Sequence, residues 1–198
     1  MQKGEIRMNL EEGKAVIKPL LSEKRYRHSV NVSREAVRLA KKYGADPQKA
    51  ETAGILHDCM KDLPADKQLK SMEQFGIILT NVEKAGKKLW HAILGAAYIE
   101  KVLGVTDLEV LTAVRYHTTG RAGMSLLEKV IFVADFTSAD RDYPGVDRMR
   151  KKADADLDAA ILEGTAFTIG ELLDGGWAVH PDTVNLYNET VLKLAEKK

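Results

Sequence analysis

The sequence predicts an all-α protein, folded as a single helical bundle of about eight helices. Apolar residues recur three and four positions apart along almost the whole chain, which is the spacing of one helix face. Runs that alternate β-branched and polar residues are few, and the chain has only five prolines. We expect residues 1–8 to form a loose N-terminal extension and residues 9–198 to form one domain.

Signals for helix starts and ends divide the chain into successive segments. Ser22 is a typical cap for a long helix, and Gly44 is a typical residue after its last turn. Asp46 followed by Pro47 combines a cap with a proline in the first turn, and Gly104 ends a later helix. The expected helices cover residues 9–21, 22–43, 46–58, 64–76, 90–103, 107–117, 125–136, a short charged stretch after residue 145, 156–173 and 181–198.

The composition argues against several classes of protein. The 30 Lys and Arg residues balance the 29 Asp and Glu residues, so the chain lacks the basic excess of most proteins that bind nucleic acids or anionic membranes. No apolar run approaches the length of a transmembrane helix, and the charged N-terminus does not resemble a secretory signal. The single cysteine, Cys59, excludes an intramolecular disulfide. We expect a cytoplasmic protein that binds no DNA or RNA and no membrane.

Five polar residues interrupt the apolar stripes of five predicted helices. Each is an imidazole or a carboxylate on a face that its neighbours predict to be buried. Burying such a group costs several kcal/mol unless it is paired or bound to a metal. We therefore expect these side chains to meet one another in the core. They are His28, His57, His91, His117 and Asp135.

A sixth candidate, Asp58, directly follows His57 at the end of the third predicted helix. The inner face of that helix is small, with Ala50, Ala53 and Gly54, which predicts room for a bulky group beside it. Two adjacent ligands can reach one ion from the last turn of a helix, because that turn is free to tighten. A carboxylate has two oxygens, so Asp58 can bridge two ions.

The resulting ligand set has four imidazoles and two carboxylates. Nitrogen and oxygen donors without a thiolate suit iron, manganese, zinc or nickel. Six ligands exceed the four that close a structural zinc site, so we expect two divalent metal ions with positions open to water and substrate. The alternative is a set of unrelated core histidines.

The order of these residues resembles the signature of the HD superfamily of metal-dependent phosphohydrolases, and its two-metal branch in particular. Longer motifs are similar to the YqeK family of bacterial HD proteins over about residues 9–192. These motifs are Leu56-His57-Asp58-Cys59-Met60-Lys61-Asp62, His91-Ala92 with Gly95-Ala96, Tyr116-His117-Thr118-Thr119-Gly120-Arg121, Met124-Ser125-Leu126-Leu127-Glu128-Lys129 through Val133-Ala134-Asp135, and Arg141-Asp142-Tyr143-Pro144-Gly145-Val146.

The YqeK resemblance implies an all-helical fold, a two-iron centre and symmetrical cleavage of diadenosine tetraphosphate into two ADP by a metal-activated hydroxide. It implies two ligand sets that share Asp58. The first set is His28, His57, Asp58 and Asp135, and the second is Asp58, His91 and His117. The residues alone also allow manganese or zinc. Relatives usually have Glu-Pro where this chain has Ser138-Ala139, a difference that bears on nucleotide preference.

Other residues are candidates for catalysis and for binding the substrate. We expect Asp58 and Lys61 to be catalytic, with the Lys61 ammonium close to a phosphate oxygen. Arg141 can bind a phosphate through two parallel hydrogen bonds, and the turn after His117 offers hydroxyls and amides. The expected substrate-binding residues are Arg27, Lys61, Thr118, Thr119, Gly120 and Arg141.

Two other functions stay open on the sequence alone. One is a phosphohydrolase of nucleoside monophosphates, triphosphates or cyclic nucleotides, because one fold supports many substrates. The other is a module that binds a nucleotide without turnover, although the complete ligand set favours an enzyme. A helical domain of this size can also form a homodimer.

Overall fold

The computed structural model describes residues 8–197 as a bundle of α-helices. Within that range there are eleven α-helices and one short 3-10 segment, Lys87–Leu89, and there is no strand. The α-helices are α1 (Leu10–Ile17), α2 (Glu23–Tyr43), α3 (Pro47–Leu56), α4 (Ala65–Gln74), α5 (Asn81–Ala85), α6 (Trp90–Lys101), α7 (Leu108–Tyr116), α8 (Leu126–Thr137), α9 (Val146–Ala155), α10 (Leu157–Asp174) and α11 (Pro181–Ala195).

The all-α prediction is confirmed, and ten of these eleven helices coincide with segments expected from the sequence. The boundaries agree closely at several predicted helix ends: α3 follows Asp46, whose side chain accepts hydrogen bonds from the N–H groups of Gln48 and Lys49, and α2 ends before Gly44, which has a φ of 85°. The helix that was not expected is α5. A capping box between Thr80 and Glu83 starts it, so its signal is present in the sequence.

Of the expected N-terminal extension, residues 1–8, the structure describes only Met8. Residues 1–7 lie outside the described part of the chain. The carbonyl of Met8 accepts a hydrogen bond of 2.7 Å from the hydroxyl of Thr52 on α3. This hydrogen bond holds Met8 against α3, the helix that ends just before the His57-Asp58 pair.

The centre of the bundle is formed by α3 and α8. α3 packs against α1, α2, α7 and α8, and α8 also packs against α2, α7, α9 and α10. Nearly every side chain of α8 from Leu127 to Ala134 is buried. This arrangement brings the C-terminal end of α3 and the later part of α8 to the same interior point.

The small face of α3 has a different role from the one expected. At Gly54, an added Cβ would lie 2.7 Å from the Cα of Ser33 on α2. The space beside this face is therefore filled by the backbone of α2, and the expectation of room for a bulky group there is wrong. Close approach of the two helices is what brings His28 of α2 next to His57.

None of the helices within residues 8–197 combines the length and the apolar character that crossing a membrane requires. The helices that do carry long apolar faces place them in the shared core.

Asp158 forms ion pairs that link three helices, α8, α10 and α11. Its carboxylate, at the start of α10, accepts a 2.7 Å hydrogen bond from Lys129 of α8 and lies 2.7 Å from the ammonium of Lys193 of α11. Burial raises the pKa of Asp158, but these two lysines outweigh it and lower the pKa to about 2. The ionised carboxylate therefore stabilises the folded state.

We expect Asp158→Asn to lower the free energy of unfolding by about 1–2 kcal/mol at pH 7, after allowance for partial solvent exposure. Because the folded-state pKa lies below the unfolded value, this stabilisation is present above pH 4 and is lost as the pH falls toward 2. Urea denaturation at pH 7 and pH 3 measures it. The difference in free energy of unfolding between the wild type and Asp158→Asn should shrink at pH 3. Asp174→Asn, at the exposed far end of α10, should have little effect on this free energy.

Candidate metal centre

The six residues expected to bind metal meet at one point in the interior. They come from α2, the end of α3, α6, the end of α7, and α8. All are buried except Asp135, which is half-buried. The imidazole rings form a continuous chain, with centroid distances of 5.3 Å from His28 to His57, 4.9 Å from His57 to His117 and 5.0 Å from His117 to His91.

Asp58 lies between two groups of imidazoles. Its Oδ1 is 3.0 Å from Nε2 of His91 and 3.6 Å from Nε2 of His117. Its Oδ2 faces the opposite way, 3.6 Å from Nε2 of His57 and 4.0 Å from Nε2 of His28. In each group of three residues, the ligand atoms lie within 4.8 Å of one another. One carboxylate thus belongs to both groups.

Asp135 completes the first group from the side of α8. Its Oδ1 lies 2.9 Å from Nε2 of His28 and 3.9 Å from Nε2 of His57. The same carboxylate oxygen also accepts a hydrogen bond from the guanidinium of Arg141. A second Arg141 hydrogen bond, from Nε, reaches the backbone carbonyl of Asp135 at 2.6 Å.

His57 and His117 are oriented in the same way. Each lies directly after its helix, and each Nδ1–H donates a 2.8 Å hydrogen bond to the carbonyl three residues earlier, at Gly54 and Val114. This bond fixes the tautomer and leaves Nε2, with its lone pair, facing the cluster.

The arrangement fits a divalent metal. Nε2 of His57 is fully buried and has no hydrogen-bond partner among the described residues. A buried nitrogen without a partner is costly, and a metal ion satisfies it. The donor set of imidazole and carboxylate groups is one that iron, manganese and zinc accept.

A carboxylate that sequence reasoning missed orients His28. Nδ1 of His28 donates a 2.8 Å hydrogen bond to Asp140, whose other oxygen accepts 3.2 Å from the amide of Asn31. Carboxylates in this position hold a metal-binding imidazole in place and raise its basicity. Asn31 lies one turn after His28 on α2, but nothing in the sequence indicates that residue 140 meets residue 28.

The protonation states of the cluster suit metal binding. Burial lowers the pKa of His57 to about 3 and that of His91 to about 4, so both imidazoles are neutral at pH 7. Burial raises the pKa of Asp58, but the neighbouring imidazoles and Lys61 outweigh it and hold the pKa well below its usual range. The pKa of Asp135 is likewise held low, against the effect of burial, by the hydrogen bond from His28 and the charge of Arg141.

Three cationic side chains border the cluster. Nζ of Lys61 is 3.1 Å from Nε2 of His91 and 3.8 Å from Oδ1 of Asp58, and burial lowers its pKa. Arg141 contacts Asp135, as described above. Sequence reasoning missed the third, Arg25, which lies 3.4 Å from Oδ2 of Asp58. Arg25 is one turn before His28, a spacing that places both on one helix face.

The remaining predicted substrate-binding residues differ in their position relative to the cluster. Thr118 lies at the cluster, with its hydroxyl 3.1 Å from Nε2 of His117. The Thr119 side chain is buried, and Gly120 adopts a φ of 60° against Leu186. Arg27 is not brought to the cluster: its side chain is 70% exposed and pairs with Glu23 on the same helix.

A protein-family model of the HD domain matches residues 25–140, a range that includes all six residues of the cluster, from His28 to Asp135. The chain belongs to the HD domain family. The resemblance to the HD superfamily is thereby confirmed, and the His57-Asp58 pair lies within the matched residues.

Relatives of this HD domain protein extend over nearly its full length. It is 40% identical to a protein of Halalkalibacterium halodurans over 94% of this chain and 99% of the relative. It is 43% identical to a protein of Bacillus subtilis over 91% and 97%. Both relatives are named symmetrical bis(5'-nucleosyl)-tetraphosphatases.

A solved HD domain structure has the same fold. The crystal structure is from Clostridium acetobutylicum and is described as a predicted HD superfamily hydrolase involved in NAD metabolism. It matches with a TM-score of 0.89 and 39% identity, over 92% of this chain and 97% of the other.

Manganese ions are expected to stabilise the folded HD domain, because they satisfy the buried cluster only when it is assembled. At a metal concentration about 100 times the dissociation constant, Tm should rise by roughly 5–10 °C. Asp58→Asn should remove most of this rise, while Asp142→Asn, in an exposed loop, should keep it. Thermal unfolding followed by circular dichroism measures both, and an undiminished rise in Asp58→Asn would contradict the site.

Metal affinity is expected to increase with pH. Burial lowers the pKa of His28, but its hydrogen bonds with Asp135 and Asp140 outweigh burial and raise the pKa above 6.5. Protons therefore compete with the metal until the pH exceeds that value, and the affinity then levels off.

Calorimetric titration of Mn²⁺ between pH 5.5 and pH 8 tests this dependence. Asp140→Asn should move the midpoint of the pH dependence of Mn²⁺ affinity to lower pH. It should also weaken Mn²⁺ binding at pH 8 by about ten-fold. An affinity that is independent of pH in the wild type would contradict the assignment of His28 as a ligand.

Proposed function

We propose that this protein hydrolyses diadenosine tetraphosphate symmetrically, to two ADP, at a two-metal centre. The observation that carries the activity is the identity of 40–43% to symmetrical bis(5'-nucleosyl)-tetraphosphatases over more than 90% of the chain. The buried His/Asp cluster, with Asp58 shared between two ligand groups, supports the metal centre.

The two ions would occupy opposite sides of Asp58. His28, His57, Asp58 and Asp135 would hold the first, and Asp58, His91 and His117 would hold the second. We propose iron for both, with manganese and zinc as the other metals that this donor set accepts. Divalent cations, when bound, lower the pKa of water and neutralise charge on phosphate oxygens.

The charges around the cluster suit a polyphosphate. Arg25, Lys61 and Arg141 lie at its border, each next to a carboxylate of the cluster. A tetraphosphate chain is strongly anionic, so these three groups would attract it and hold it against the ligands. Lys61 is the ammonium best placed to neutralise charge that develops on a phosphate oxygen, since it lies near both Asp58 and His91.

Two residues of the turn after His117 would also help to hold the substrate. The hydroxyl of Thr118 faces the same space as Nε2 of His91, at 3.4 Å, and can donate to a phosphate oxygen. Thr119 contributes through its backbone: its carbonyl accepts 2.9 Å from the hydroxyl of Thr183 on α11, which fixes the turn that follows His117. Arg27 and Gly120 stay sequence-based predictions as substrate contacts.

The reaction is tested by its products. The purified protein, reconstituted with Fe²⁺ without oxygen or with Mn²⁺, is incubated with diadenosine tetraphosphate, and the nucleotides are separated by chromatography. Symmetrical cleavage gives ADP alone. Equal amounts of AMP and ATP, or hydrolysis only of nucleoside monophosphates, triphosphates or cyclic nucleotides, would contradict the proposed function.

Lys61→Ala is expected to lower kcat by about 100-fold, because one charged group that stabilises the transition state is lost. Its metal content, measured by elemental analysis, should stay unchanged, since Lys61 is not a ligand. Lys61→Arg should recover part of the activity. The matched control is Lys67→Ala, an exposed lysine of α4, which should retain full activity. Loss of metal in Lys61→Ala would contradict its assigned role.

A further inference from the structure

The C-terminal end of α8, beside the metal centre, is capped by groups from the chain that follows it. The last four carbonyls of an α-helix have no N–H partner within the helix. In α8 these carbonyls belong to residues 134–137, and each accepts a hydrogen bond from a later residue. The donors are the backbone N–H of Ser138 and the side chains of Arg141, Tyr143 and Arg150. Arg150 is the one among them that lies on another helix, α9.

The guanidinium of Arg150 holds three carbonyls at this helix end. Its Nε donates a 3.2 Å hydrogen bond to the carbonyl of Thr137. Its Nη2 donates 3.0 Å hydrogen bonds to the carbonyls of Ser138 and Arg141, and its Nη1 donates 3.1 Å to Asp147 on α9. A guanidinium can do this because its donors form a rigid planar fork, which a lysine ammonium lacks. Both ends of the loop 138–141 are therefore tied to α9.

The two charged side chains of this loop are anchored in different ways. The carboxylate of Asp140 is held from α2, by His28 at 2.8 Å and by Asn31 at 3.2 Å. Arg141 is held at both ends, because Arg150 binds its carbonyl and its own Nε reaches the carbonyl of residue 135 at 2.6 Å. Loss of Arg150 therefore releases the backbone of Arg141, while the contacts of Asp140 with α2 remain.

The carbonyls that Arg150 binds at the end of α8 lie in the interior, so their contacts are costly to lose. Thr137 is 3% exposed and Ser138 is fully buried. A buried carbonyl left without a donor costs the free energy of its desolvation. The positive guanidinium also lies at the C-terminal end of α8, where the partial charge of the helix is negative. Both effects favour one position of the loop and of Arg141.

The helix that carries Arg150 is held by its own packing. The buried residues of α9 are Val146, Met149 and Ala153, and the helix packs against α8 and α10. The match to the HD domain model ends at residue 140, before α9 begins. Helix α9 thus supports the metal centre from outside the range that contains the six clustered residues.

We propose that Arg150 is a positioning residue, which holds Arg141 where its guanidinium can bind a phosphate group of the substrate. Arg150 acts through the backbone of Arg141 and not through the metal ligands. Its loss should therefore weaken phosphate binding and leave the metal content unchanged. This inference rests on the proposed function for the role of Arg141.

The test measures the binding of inorganic phosphate to the Mn²⁺-loaded protein by isothermal titration calorimetry, after excess metal is removed. Arg150→Ala should weaken phosphate binding by about ten-fold, which is a typical coupling between neighbouring groups. Arg150→Lys keeps the charge without the planar fork and should give a smaller loss. The matched control is Arg148→Ala, because Arg148 lies on the same helix with a side chain that is 73% exposed, and phosphate affinity should not change. Elemental analysis should find the same manganese content in all of these proteins.

A double-mutant cycle separates positioning from a general effect on the fold. Arg141→Ala alone should weaken phosphate binding, and adding Arg150→Ala to it should cause little further loss, because Arg150 acts through Arg141. A purely structural role would instead multiply the two losses. If Arg150→Ala does not fold, as judged by circular dichroism, Arg150→Lys replaces it in the cycle with the same expected pattern.

Three outcomes would overturn the role of Arg150. They are an unchanged phosphate affinity in Arg150→Ala, losses that multiply in the double variant, and an unchanged phosphate affinity in Arg141→Ala. The proposed function is judged separately, by the products that the wild type forms from diadenosine tetraphosphate. Coupled losses at Arg141 and Arg150 support the positioning role even if that substrate is not cleaved.

Discussion

The burial of the His57-Asp58 pair is the constraint on which the rest of the structure depends. Asp58 is 2% exposed and His57 is fully buried, and neither side chain can be placed in a protein interior at low cost without partners. The partners come from helices that are distant in sequence. α2 approaches closely because Gly54 has no side chain, while α6, α7 and α8 bring the other ligands. The same helix contacts that pack the bundle therefore also assemble the cluster.

Groups that bind no metal keep the ligands in position. Backbone carbonyls at Gly54 and Val114 fix the tautomers of two histidines, and Asp140 fixes a third. Arg150 holds the loop that carries Arg141 against the cluster. Such groups reduce the reorganisation needed when ions and substrate bind, which is how a preorganised site stabilises charge that develops during a reaction.

Much of this architecture was accessible from the sequence, and the omissions have physical reasons. Several helix ends are predictable from capping residues, glycine and proline, and five of the six clustered residues are predicted to meet because they interrupt apolar stripes, while Asp58 is predicted because it adjoins His57. Arg27 is a candidate on the sequence because it adjoins His28, but adjacent helix residues face different directions, and Arg25, one turn away, is the arginine that reaches Asp58. Asp140 was missed because it meets His28 across 112 positions, and no local pattern encodes that contact.

We propose that six side chains bind two ions that share Asp58. Anomalous diffraction from a crystal of the Mn²⁺-loaded protein, recorded on both sides of the manganese absorption edge, tests it most directly. We expect two anomalous peaks, one among His28, His57 and Asp135 and one beside His91 and His117, with Asp58 touching both. A single peak, or peaks away from Asp58, would contradict the two-metal centre.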